Sequence, residues 1–124
     1  MNFDFVRDVP GFSQLFETCS AAEQLARPLP AQSCASARTA LEYIVTLVYR
    51  SVAEYEDGGK TLFEKMSDHH FIDYINDETI LSAMHTVRKN GNLGAHGERL
   101  NPQTACDTLE QLHYIIGEVF INLK

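Results

Sequence analysis

Ala37-Arg38-Thr39-Ala40-Leu41-Glu42-Tyr43-Ile44-Val45-Thr46-Leu47-Val48-Tyr49-Arg50-Ser51-Val52 carries the clearest structural pattern in the chain. Ala37, Leu41, Ile44, Val45, Val48 and Val52 recur by threes and fours, which lines one face of an α-helix. Tyr43, Leu47 and Tyr55 widen that stripe, so the helix is expected to lie centrally in a bundle. Asp57-Gly58-Gly59 is expected to end it.

Helical spacing continues on both sides of this segment. Phe12, Leu15, Phe16, Cys19 and Ala22 predict an earlier helix of about four turns, ended by Pro28 and Pro30. Thr61 and Glu64 read as a capping box opening a short helix with Leu62, Phe63 and Met66. Phe71, Ile72 and Ile75 mark a second short helical or turn segment. Asn76 or Asp77 should cap a helix carrying Ile80, Leu81, Met84 and Val87. Asn101-Pro102 is a cap followed by a first-turn proline. The helix after it holds Ala105, Leu109, Leu112, Ile116, Val119, Phe120 and Leu123.

No run alternates as a half-buried strand would, and no repeat or low-complexity linker interrupts the pattern. The expectation is an all-α antiparallel bundle of three or four main helices joined by short ones. Residues 1–124 read as a single domain, either free-standing or the first domain of a longer chain. At 124 residues and 14.0 kDa it is long enough to bury a core without metal or disulfide.

Composition narrows the function. Ten Lys and Arg face 17 Asp and Glu, a net charge of −7. A protein that coats nucleic acid by itself usually carries a basic face, because phosphate neutralisation supplies most of the affinity. Only a local basic site is compatible with this balance. Cys19, Cys34 and Cys106 are odd in number and widely spaced, which fits a reducing, cytoplasmic setting. Cys19 and Cys106 sit among apolar positions and should act as small buried hydrophobes. No apolar run approaches the roughly 20 residues that span a bilayer.

Several chemical motifs fail on inspection. Gly59-Lys60-Thr61 looks like the end of a phosphate loop, but Glu54 stands where that loop needs glycine. His69-His70 beside Asp68 and Asp73 suggests metal, yet adjacent histidines on a helix are expected on different faces. No metal site and no cofactor follow from these residues. No nucleophile elbow is present.

Two constellations remain. Arg38 and Glu42, four apart on the central helix, read as a structural ion pair on an otherwise apolar surface. Arg88, Asn92 and His96 stand four apart in Val87-Arg88-Lys89-Asn90-Gly91-Asn92-Leu93-Gly94-Ala95-His96-Gly97. If the helix continues through that segment, they share a face able to hold a phosphate. Alternatively Asn92 and His96 satisfy carbonyls where the helix frays, and the glycines serve a tight turn.

Arg38-Thr39-Ala40-Leu41-Glu42, Arg88-Lys89-Asn90-Gly91-Asn92 and Ala95-His96-Gly97 together resemble an uncharacterised helical domain of prokaryotes. It occurs at the N-terminus of the restriction (R) subunit of type I restriction–modification systems, and as small separate proteins. Asn2-Phe3-Asp4-Phe5 and Pro10-Gly11-Phe12 resemble the N-terminal version. That domain is similar in turn to the HEPN superfamily, helical bundles that often dimerise. Many of these cut RNA with an Arg, a gap of four to six residues, and a His.

Here seven residues lie between Arg88 and His96, and Gly91 stands where an active member would carry Arg. Lys89 offers a charge without the planar fork that clamps phosphate. The resemblance therefore implies a non-catalytic module of a restriction or defence system, a homodimer or a partner of another subunit. An ancillary nucleic-acid contact would fall to Arg88, Lys89, Asn92 and His96. The alternative it implies is a metal-independent HEPN-type ribonuclease, with His96 as general base and Arg88 or Lys89 stabilising the phosphorane.

Overall fold

The computed structural model describes residues 3–7, 11–53 and 59–122. It is an all-α bundle: α1 Asp4–Arg7, α2 Ser13–Leu25, α3 Pro30–Ala53, α4 Leu62–Ser67, α5 His69–Ile75, α6 Glu78–Ala95 and α7 Pro102–Gly117. A single π-helical turn, Glu118–Asn122, extends α7. The break expected at Asp57-Gly58, together with Tyr55 and Leu123, lies outside the described residues.

The central position of α3 follows from its surface. Ala37, Ala40, Leu41, Ile44, Val45 and Tyr49 are all fully buried. It packs most extensively on α6, then on α2 and α7, with α4 and α5 across its C-terminal half. Pro30 opens this helix rather than closing the previous one: α2 already ends at Leu25. A proline is favoured in a first turn, where its missing N–H would have had no partner. The buried Ser33 hydroxyl then donates to the Ala22 carbonyl, one of the orphan acceptors at the end of α2.

Local signals fix the other starts. Thr61 and Glu64 form the full capping box (Glu64 amide to Thr61 Oγ1, 3.1 Å; Thr61 amide to Glu64 Oε1, 2.9 Å). Asp77 caps α6 by accepting from the Thr79 and Ile80 amides at 2.8 and 3.1 Å. Asn76 instead closes α5 in the left-handed region, at φ 47°. Asn101 caps α7 through the Thr104 amide at 2.8 Å.

One buried hydroxyl joins the three long helices. Thr108 on α7 donates to the Thr104 carbonyl at 2.7 Å and accepts from Asn90 Nδ2 of α6 at 3.0 Å. Its third contact is with the Cys34 thiol of α3, at 3.6 Å. The capacity of the hydroxyl is thereby filled, as burial requires. Cys34 is thus as buried as Cys19, whereas Cys106 is only half-buried. Among the described residues, no helix is long and apolar enough to cross a membrane.

Candidate functional site

α6 runs unbroken through Arg88 to Ala95, so Arg88 and Asn92 rise along one flank of a helix and His96 ends it. The stop is a Schellman motif: Glu98 N–H donates to the Leu93 carbonyl at 3.0 Å, and Gly97 N–H to the Gly94 carbonyl at 3.2 Å. Gly97 sits at φ 81°, where a side chain would be strained. The fraying carbonyls are therefore met by backbone amides. Among the described residues, neither the Asn92 nor the His96 side chain has a hydrogen-bond partner, so neither satisfies those carbonyls.

The glycines of this segment mark a close helix crossing. A Cβ built on Gly91 would collide with Arg38 Cβ, and would lie 3.0 Å from both Arg38 Cδ and the Cys34 carbonyl oxygen. One turn on, a Cβ at Gly94 would collide with the Ala31 carbonyl oxygen. Contacts that climb α6 while descending α3 make the pair antiparallel. Position 91 is thus filled by the stem of Arg38, and no longer residue fits there.

Cys34 and Asn90, both bonded to Thr108, mark the side of this crossing that α7 covers. At 100° per residue, Arg88 and Asn92 stand about 160° around α6 from Asn90, on the flank away from α7, whereas Arg38, one turn from Cys34, lies at the crossing itself. Arg38 Nη1 pairs with Glu42 Oε1 at 3.1 Å, with about a third and two-fifths of the two side chains exposed. Such a half-exposed pair contributes only about 0.3–0.5 kcal/mol. Arg38 Nε is buried without a partner.

Arg88 takes part in a different contact. Its guanidinium lies over the Phe63 ring at 4.8 Å, and its Nε donates to His85 Nδ1 at 3.3 Å. Phe63 and His85 meet edge to face at 6.2 Å. Burial, and then the charges of Arg88 and Lys89, hold His85 below the ordinary histidine range. A neutral ring can accept from Arg88, so the bond and the shift agree. Arg88 and His96 are eight residues apart, about 12 Å along the helix axis at 1.5 Å per residue. Lys89 and His96 are exposed.

Phe63 is the functional candidate that sequence reasoning missed. The sequence named it only as one apolar residue of the short helix with Leu62 and Met66; it is 52% exposed while Lys65 is buried, its Nζ donating to Thr46 Oγ1 at 3.0 Å. In a six-residue helix, helical period alone does not say which flank faces inward.

A second correction concerns His69 and His70. Their rings lie together, centroids 4.1 Å apart, rather than on different faces. With Asp68 they offer three ligand atoms within 4.8 Å of one another. Asp68 is already engaged, however. It caps α5 through the His70 amide at 2.8 Å, accepts from the buried Tyr49 hydroxyl at 3.2 Å, and lies 3.9 Å from Lys60 Nζ. The His70 amide, above all, holds its carboxyl below the usual range. An ammonium and a helix N-terminus both oppose a cation at this position.

No curated protein and no solved structure matches the chain. A family model, that of a domain of unknown function designated DUF4145, matches residues 20–124. The matched stretch contains α3 with Arg38 and Glu42, and the whole of α6 with the Gly91 crossing. The chain belongs to the DUF4145 family.

Proposed function

We propose that this chain is a non-catalytic helical module of a restriction or defence system, like the N-terminal domain of type I restriction R subunits. It associates with itself or with a partner subunit, and makes an ancillary nucleic-acid contact through Arg88, Lys89, Asn92 and His96. The observation that carries the non-catalytic reading is the crossing at Gly91. The only position that would give a four-residue gap before His96 is packed against Arg38. The remaining Arg88 is about 12 Å of helix away from His96 and stacked on Phe63. A single phosphorane needs its base and its cation within about 3 Å of the reacting atoms.

Support for partner contact comes from α3. Leu47 is a large apolar side chain left 49% exposed on the central helix. With Phe12, Leu15, Tyr43 and Arg50 it lines a groove of about 470 Å³ between α2 and α3. Light scattering over a concentration series tests the reading: a species of twice 14.0 kDa is expected, shifted toward monomer by Leu47→Asp. A 14.0 kDa species throughout, with Leu47→Asp without effect, refutes self-association through this face.

The second reading, a metal-independent ribonuclease, draws support from the solvent access of His96 and Lys89 on the same helix. It would need a second protomer to bring a cation to His96.

A further inference from the structure

The exposed ring of Phe63 lies on the open flank of α6, against the same Arg88 that the ancillary nucleic-acid contact uses. Arg88 covers one face of the ring and His85 meets its edge, while about half of the residue stays open to solvent. An exposed aromatic backed by a guanidinium is a flat, electron-rich surface with a fixed cation beside it. Apolar partners would gain nothing from the neighbouring charges. A nucleobase gains from both, because its π-face stacks on the ring while the attached phosphates meet the cations.

Two cations adjoin the ring in an otherwise acidic chain. Arg88 stacks on the ring and Lys89 lies one turn from His85, two of the ten Lys and Arg. Glu64, the residue after Phe63 on α4, is engaged in the Thr61 cap. The lowered proton affinity of His85, due after burial to Arg88 and Lys89, reports the same positive field. The capping box holds α4, and hence Phe63, in place.

We propose that Phe63, backed by Arg88 and His85, is a stacking platform for one base of a single-stranded nucleic acid, with Arg88 and Lys89 meeting the adjoining phosphates. It rests on the ancillary nucleic-acid contact proposed above and names its form: unpaired strand, read by stacking rather than by sequence. A duplex keeps its bases stacked on one another and offers none to the ring.

The test is fluorescence anisotropy with a labelled single-stranded oligoadenosine of roughly 10 nucleotides, within the range such sites span, and with the same strand annealed to its complement. Wild type should bind the single strand in preference to the duplex. Phe63→Leu, which keeps apolar bulk, should weaken binding roughly tenfold at an unchanged melting temperature. Arg88→Gln should also weaken it, and should lower the salt slope by about one. No binding by wild type at low salt, equal affinity for duplex, or full affinity in Phe63→Leu would each overturn the platform. Light scattering on the same samples separates the two proposals. Strand binding lost with the dimer intact fails the platform alone, and a monomer that still binds strand fails self-association alone.

Discussion

Replacing Gly91 by Ala adds one methyl group at the narrowest point of the bundle, and its cost can be worked from the geometry. In an open helix position the change is favourable, since Ala exceeds Gly in helix propensity by about 1 kcal/mol. At position 91 the new Cβ overlaps Arg38 Cβ and stands 3.0 Å from Arg38 Cδ and from the Cys34 carbonyl. Comfortable carbon contacts need about 3.5–4.0 Å, so α3 and α6 must part by about 1 Å. Their separation disturbs the Gly94–Ala31 contact and the Asn90–Thr108 bond, which depend on the same spacing. Overpacking of this kind costs about 1–3 kcal/mol, and the rigid carbonyl of Cys34 puts this case at the upper end. The net expectation is a loss of about 1–2 kcal/mol, or roughly 4–8 °C in melting temperature for a domain of this size. Gly117→Ala is the internal control: among the described residues, nothing beyond its own helix backbone and chain neighbours comes within 4 Å of its Cβ, so a gain of about 0.5–1 kcal/mol is expected. Urea unfolding followed by far-ultraviolet circular dichroism measures both. Equal stabilisation by the two substitutions would refute the close crossing, and with it the explanation for glycine at position 91.

Burial pushes the Cys19 thiol up to about 12 and raises that of Cys34, so at pH 8 the folded chain should take up thiol reagent at Cys106 first, with all three labelled only after unfolding. Peptide mass spectrometry of a labelling time course checks this; early labelling of Cys19 would contradict its burial. Asp77→Ala removes the acceptor of two amides at the start of α6 and should cost about 1 kcal/mol by urea titration. Asp68 is more acidic when folded than when unfolded, so the unfolded chain takes up its proton first. Its stabilising contribution is full above the ordinary carboxylate value of 3.8 and disappears as pH falls through the lower folded value. Acid unfolding of Asp68→Asn should therefore be flatter below pH 3.8 than that of wild type, and an unchanged acid limb would contradict the Asp68 bonds.

Long periodic segments were legible because burial of one stripe leaves little choice. The apolar set of α3, the cap–proline pair of α7 and the Thr61–Glu64 box are all local signals that tertiary packing had no reason to override. Pro30 was read as a stop because two prolines lie close together. Its role as a helix opener is visible only once α2 is seen to end before Pro28. Burial of Cys34 and Thr108 could not be read from hydropathy, since each is buried by its partner on another helix. The same limit applies to the candidate site. That Arg38 faces Gly91 depends on which helix crosses which, and 53 residues of sequence separate the two. Phe63 was hidden for another reason: α4 is too short for its periodicity to choose a flank.

Incubation of labelled structured and single-stranded RNA with the purified chain and with His96→Ala, without added metal, tests the non-catalytic reading most directly. Intact RNA in both reactions is the predicted result, with single strand retained by the wild-type protein. RNA cut by wild type and spared by a folded His96→Ala protein would contradict it, and would place His96 in a working ribonuclease site.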